Sequence, residues 1–406
     1  MKINIKFIFT ALFLFIFSIN SQDTAGTYSY VKSLKEKGSE PIQFVLKALD
    51  VYDLIIFDDA NHSAAEPFEF YQKLISDTAF QNKVRYIFIE AFSLSKQHDI
   101  DNYMNSETED RTLLYPVFQD DFSGLGWTYE TYFNLMHTIY TVNKSLPPEK
   151  KFKVIGVSNA TYWSAVRTTD DLALFRVSLA SFDYTMYMRI SGKLDDFNSG
   201  RKGIFLTNTR HSYKGIKDSK GNLYWNCGTF FHQWNPGKTY SIRIHNATLY
   251  IEKEVDSPDK PKTTEGMENI QFKWLRIAGG KWDEAFRLNG NVPVAITLED
   301  TPFGKDPYVG NHMLDALPGQ TMYDANDAII FLAPLNELHR SAITNEIYTN
   351  DFKKELERRM NLLYTPDKLN QMLVDDSVKT IREYIDKEFI PEPEILLPQA
   401  QDALKN

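Results

Sequence analysis

Eight short runs rich in β-branched and aromatic residues punctuate the chain, near 52–58, 84–90, 152–157, 203–208, 239–245, 248–253, 292–298 and 328–332. Helix-length segments at about 64–80, 128–146 and 170–193 separate the early runs. Strands alternating with helices are the signature of a parallel sheet joined by crossover helices. The predicted fold is therefore α/β: a mostly parallel central sheet flanked by helices, with a β-hairpin insertion and a helical C-terminal region. The hairpin is expected over 239–253, turning at Asn246-Ala247. Within it Ile242 and Ile244 alternate with Ser241, Arg243 and His245, which predicts one wet face. Ser63 and Glu66 have the spacing of a capping box opening the first helix after the 52–58 run.

Other stretches break the pattern. From 92 to 127 the periodicity fades around Asp120-Asp121 and Gly124-Leu125-Gly126, as in a lid or binding loop. Pro258 to Thr264 is a polar break, and the segment after it, with Trp274 and Trp282, is a candidate cover for a site. Beyond Pro334 a helical pattern runs to about 389 and ends in a Pro- and Glu-rich tail expected to fray. The expected division is a leader at 1–21, an α/β hydrolase-like domain at 22–335 with an insertion around 222–290, and a C-terminal helical region and tail at 336–406. The leader rests on a basic start (Lys2, Lys6), an apolar run from Phe7 to Ile19, and small Ser21 before Gln22. This is the layout of a secretory signal peptide, so the protein is expected to be exported, periplasmic or extracellular, and soluble, with no transmembrane anchor after cleavage.

Composition narrows the partners. The chain carries 54 acidic and 45 basic residues, a net charge of −9, and has no basic block, so nucleic acid is not an expected partner. Cys227 stands alone, which leaves no intrachain disulfide and no cysteine-based zinc site. An aromatic content of 14% reads first as a well-filled core, with a sugar-contacting surface as the alternative.

The chemistry gathers at strand ends, where open parallel sheets bind ligands. Asp58-Asp59-Ala60-Asn61-His62 follows the first run, Glu90 closes the second, and Arg210-His211 follows the fourth. A carboxylate beside an imidazole fixes its tautomer and raises its basicity, so His62 with Asp59 is a candidate general base, and Asp58 points the other way. Glu90 is a second acid/base or a metal ligand, with an ion pair to Arg85 or Lys83 as its structural alternative. His211 is a proton shuttle or ligand, and Arg210 a partner for a developing oxyanion. Asn61, Ser158, Asn159 and Tyr213 are candidate substrate contacts. His137, among Leu135, Met136 and Ile139, is expected in the core, and His98, His232, His312 and His339 are background. No Gly-x-Ser-x-Gly elbow, Walker loop, dinucleotide glycine fingerprint or His-x-x-x-His spacing is present.

These clusters resemble the superfamily that joins erythromycin esterases, ChaN-like haem-binding lipoproteins and the Tiki metalloproteases. Its members place a Gly-Glu-x-x-His segment after the first strand; here Asp58-Asp59-Ala60-Asn61-His62 puts Asp59 at the Glu and His62 at the His. Ile87-Phe88-Ile89-Glu90-Ala91 resembles the second motif, and Phe205 to His211 the third. Asp327 to Phe331 resembles a late family strand. Esterase members often carry His-Asn-x-His at the third motif, whereas Asn208-Thr209-Arg210-His211 keeps only the last His. Tyr71 stands where an Arg is frequent. The resemblance implies a hydrolase of ester or amide bonds acting on a small-molecule or peptide substrate. Its alternative is an extracytoplasmic haem- or ligand-binding protein without turnover, in which His62, His211 and Tyr213 are possible axial ligands. A divalent metal, if present, would take Asp59, His62, Glu90 and His211.

Overall fold

The computed structural model describes residues 26–253, 270–310 and 316–406. Its centre is a seven-stranded sheet in the order β3-β2-β4-β1-β5-β9-β8. The strands are β1 Leu54–Asp58, β2 Tyr86–Ser93, β3 Lys153–Ser158, β4 Gly203–Thr207, β5 Thr239–Ile244, β8 Val294–Thr297 and β9 Ala328–Phe331. All neighbours pair in parallel except β8, which runs antiparallel to β9 at the edge. The predicted α/β fold is the one observed.

Both faces of the sheet are covered, which is why its strands read as near-continuous apolar runs. Ile55 and Phe57 of β1, Ile87 and Ile89 of β2, and Ile204 and Leu206 of β4 point into one core layer, under the helices Pro41–Val51, Ala65–Ser76 and Glu130–Ser145. Leu54, Ile56, Phe88 and Phe205 point the other way, onto Met186 and Ile190 of the helix Phe182–Lys193 and onto Phe231 of the helix Cys227–Trp234. The period-two side-chain alternation of a strand makes this division.

Several expectations need correction. Residues 239–253 are not a hairpin. β5 is an interior strand paired in parallel with β1 and β9, while β6, Thr248–Lys253, pairs antiparallel with β7, Ile270–Leu275, in a separate small sheet. The polar side chains of β5 are accordingly not wet. Ser241, Arg243 and His245 are all buried and partnered, by Ser212 and Asn326, by Asp58, and by Asp283 respectively. Alternation here marks buried polar groups with partners inside the protein rather than solvent.

The capping box is also absent. Ala64 is the N-cap, Ser63 donates its hydroxyl to Asn61, and Glu66 accepts from the backbone N–H of His339 at 2.8 Å. The 92–127 stretch contains the helix Gln97–Asn105 and a short helix Tyr115–Gln119, and Asp121 is a buried acceptor for the N–H groups of Ser123, Gly124 and Gly126. His137 is exposed and pairs with Glu109 at 2.7 Å. Trp282 covers no site: it is buried, with its N–H donated to Asp306 at 2.6 Å.

The tail is tied down rather than frayed. Ile395–Leu396 pairs with His339–Arg340, and the helix Pro398–Lys405 buries Ala400 and Ala403. Earlier helices of the same region add Leu356, Met360 and Ile385 to the main core layer. No helix among the described residues is long and apolar enough to cross a membrane. The leader, the Pro258 to Thr264 break and His312 lie outside the described residues.

Candidate active site

Strand register creates the site. Phe57 of β1 is level with Leu206 of β4, which is level with Ile89 of β2, so the next residues, Asp58, Thr207 and Glu90, form one row at the carboxyl edge. Past that edge β1 turns sharply. Ala60 adopts a left-handed conformation (φ 58°), and Asn61 N–H closes onto the Asp59 carbonyl at 2.6 Å. The turn brings His62 back over Asp59, with Nδ1 2.6 Å from Asp59 Oδ2. On the far side, Asn208 caps the short turn Thr209–Ser212 by accepting from Arg210 N–H, which holds His211 over the end of β4.

Glu90 links the two imidazoles. His62 Nε2 lies 3.4 Å from Glu90 Oε2, and His211 Nε2 lies 3.2 Å from Glu90 Oε1. His211 Nδ1 then meets Asp183 Oδ1 at 2.7 Å, and Asp183 also accepts the N–H of Cys227. The result is a continuous relay, Asp59–His62–Glu90–His211–Asp183. Glu90 takes two further donors, the Thr207 hydroxyl and Asn208 N–H, and makes no ion pair with Arg85 or Lys83.

The relay sets the charges. Burial raises the Glu90 carboxyl, but His211 and His62 outweigh it and hold it well below the usual carboxylate range. Burial lowers His211, yet Glu90 and Asp183 lift it to about 9. His62 is likewise lowered by burial and lifted well above its ordinary value by Asp59 and Glu90. The Asn208 amide works against that lift. Its oxygen is committed to Arg210 N–H, so its NH₂ faces His62 Nε2 at 3.0 Å and favours a lone pair there. Burial pushes Asp59 up to about 6, with His62 opposing. The two imidazoles thus differ: both stand between two carboxylates, but only His62 also faces an amide donor, at Nε2.

A cavity of about 500 Å³ opens onto this floor, with His62, Glu90, Asp183, Asn208, Arg210 and His211 as its polar lining. Phe122, Leu179, Phe182 and Tyr224 form the rest of the wall. The four predicted residues Asp59, His62, Glu90 and His211 therefore meet, and Arg210 faces the same space. The other candidates sit elsewhere. Asn61 holds the turn through Ser63, and Asn159 donates to the Ser178 carbonyl. Ser158 is buried at the end of β3, and Tyr213 is buried edge-on against Tyr308. Two site residues were not predicted. Asn208 directly follows a strand, the same signal that singled out Asn61. Asp183 sits at the start of a helix and carries no local signal.

The fit of a metal or haem follows from these partners. Among the described residues no group of three or more His, Cys, Asp and Glu side chains is placed to hold an ion. All four ring nitrogens of His62 and His211 already face a carboxylate or an amide, and the Tyr213 phenol is fully buried. Neither group fits without breaking the relay.

No protein-family model matches the sequence. No curated protein matches it at a significant level. Similar solved structures include a Bacillus cereus protein, 11% identical over 75% of this chain and 97% of its own, with a TM-score of 0.49. An erythromycin esterase, EreC, in its open conformation is 9% identical over 71% of this chain and 92% of its own, TM-score 0.45. ChaN of Campylobacter jejuni, which binds haem cofacially, is 13% identical over 50% of this chain and 85% of its own, TM-score 0.34.

Proposed function

We propose that the protein is a hydrolase of ester or amide bonds in which His62 activates water. The observation that carries this reading is the relay Asp59–His62–Glu90–His211–Asp183 along the floor of a cavity. His62 Nε2 takes the proton of a water molecule as its oxygen attacks the carbonyl carbon, Asp59 stabilises the imidazolium that forms, and His62 then returns the proton to the leaving oxygen or nitrogen as the acyl C–O or C–N bond breaks. Arg210 and the positively charged His211 face the negative charge that develops on the carbonyl oxygen. Glu90 holds both rings in place and keeps His211 charged. The basic, apolar and small-residue start of the sequence supports export as the setting for this activity. Expressed from Gln22 onward, the protein is expected to turn over at least one member of a panel of simple esters and amides above the buffer rate. A panel with no turnover at any pH from mildly acidic to alkaline contradicts the reading.

Two further outcomes follow from the charges. The base form of His62 accumulates only as pH rises through its lifted pKa, and the His211 charge is lost as pH rises through about 9. The profile of kcat/KM against pH is therefore expected to be a bell, rising above about 6.5, the unperturbed imidazole value, and falling on the alkaline side. Asp59→Asn removes the leading contribution that lifts His62 and is expected to shift the rising limb to lower pH. A rising limb centred at or below the unperturbed value in the unaltered protein contradicts the arrangement. Chelator treatment is expected to leave turnover unchanged, since the ring nitrogens are already engaged. Loss of activity on chelation, restored by a divalent ion, would show a different site chemistry.

A further inference from the structure

Asn208 directly follows β4 and is held in the cavity wall at three points. Its backbone N–H donates to Glu90 Oε2 at 3.2 Å, its amide oxygen accepts from Arg210 N–H at 3.0 Å, and its amide nitrogen lies 3.0 Å from His62 Nε2. The second contact fixes which end of the amide faces His62, because the oxygen is already turned onto the chain. The NH₂ group therefore stands beside the nitrogen that takes the proton of water.

Other donors close by are turned away from that point. His211 directs Nδ1 at Asp183, 2.7 Å away, and Nε2 at Glu90, 3.2 Å away, so its charge acts on the cavity only through space. Thr207 donates its hydroxyl to Glu90. Of these groups, the Asn208 NH₂ is the one aimed at the base nitrogen. A water bound at Nε2 takes the place of the amide there and releases an N–H beside the attacking oxygen. With the reacting atoms about 3–3.5 Å apart, the carbonyl oxygen comes within reach of that N–H.

We propose that Asn208 is a further catalytic residue, whose side-chain N–H donates to the carbonyl oxygen of the bound ester or amide and stabilises the negative charge that gathers there. As water attacks, the C=O π pair moves onto oxygen, a proton of water goes to His62, and the hydrogen bond from Asn208 strengthens. The pair returns to carbon as the leaving group departs. The amide is neutral, so it stabilises the oxygen without placing a positive charge against His62 that would lower its basicity. Held by Glu90 and Arg210, the donor needs little reorganisation at the moment of reaction. This role rests on the hydrolase reading above, but the binding of a tetrahedral anion tests it without turnover.

The test compares Asn208→Ser and Asn208→Asp with the unaltered protein. Both replacements can still cap the turn that follows, but neither carries a side-chain N–H. In each, kcat on the best ester of the panel is expected to fall about 10²–10³-fold, the usual loss of one oxyanion donor, with KM changed far less and the thermal unfolding midpoint kept. Asn208→Asp also sets a carboxylate beside His62, and is expected to move the rising limb of the pH profile to higher pH. Rates within a few-fold of the unaltered protein in both variants would leave Asn208 as a cap and overturn the proposal, as would a loss carried by KM alone. A second measurement is calorimetric titration with a methylphosphonate monoester, whose anionic tetrahedral phosphorus stands in for the intermediate. It is expected to bind, and to bind Asn208→Ser about tenfold more weakly. A crystal structure of its complex with the unaltered protein is expected to place a phosphonate oxygen within hydrogen-bond distance of Asn208 Nδ2, a readout that needs no variant to fold. Absence of binding, binding that Asn208→Ser leaves unchanged, or an oxygen held away from Nδ2 overturns the proposal. Phosphonate binding weakened as expected, with no turnover in the panel, refutes the hydrolase reading and leaves Asn208 as a donor to a tetrahedral anion.

Discussion

Replacing His62 by alanine is expected to lower kcat/KM for ester hydrolysis by about 10²–10⁴-fold, the usual contribution of a positioned general base. Removing the ring takes away the water-activating nitrogen and leaves Asp59 and Glu90 without the group between them. The buried Asp59 carboxylate loses its imidazole partner in this variant, so folding is checked alongside turnover. His62→Asn is expected to be similarly slow. Turnover within a few-fold of the unaltered protein in either variant, with unchanged circular dichroism, would take the base role away from this residue.

The second large effect is on stability. Asp58 lies on the opposite side of β1 from the relay and is fully buried; burial raises its carboxyl, and Arg243, equally buried, opposes this from 3.5 Å. Asp58 also accepts from Ala60 N–H and from the Thr209 hydroxyl. It therefore ties the turn that carries His62 to the turn that carries His211. Arg243→Met strands a buried carboxylate, and such losses cost about 3–5 kcal/mol. The sign with pH is fixed by the direction of the Asp58 shift. Without Arg243 the carboxyl rises further, so the folded state takes up a proton more readily, and the loss should shrink as pH falls toward the ordinary carboxylate range. Adding Asp58→Asn should recover part of the stability at neutral pH, because the double variant buries no unpaired charge. Urea unfolding of the single and double variants across pH measures this. A neutral Arg243→Met would mean that the pair contributes no net stability.

Much of this was legible in the sequence. A strand buried on both faces has a distinctive residue pattern, and β1, β2, β3, β4 and β9 all carry it. Asp59, His62, Glu90 and His211 were legible because polar residues directly after such strands have few structural reasons to be there. β5 misled because Ser241, Arg243 and His245 alternate with apolar residues as on a half-exposed strand. Their partners, Ser212, Asp58 and Asp283, are distant in sequence, so nothing local marks the alternation as buried. Asp183 was out of reach for the same reason: it meets His211 only because the helix Phe182–Lys193 crosses the sheet at that point. Tyr213 drew attention by following His211, but a one-residue step past a short helix turned it into the interior.

The central claim is that the two imidazoles, joined through Glu90, act as one unit. It is tested most directly by measuring kcat/KM of His62→Ala, His211→Ala and the double variant on one ester. Groups that act together are strongly non-additive, so the double variant is expected to be about as slow as the slower single variant. A double variant that hydrolyses the ester at the rate of the unaltered protein, or one whose loss is the full product of two independent losses, would contradict the account.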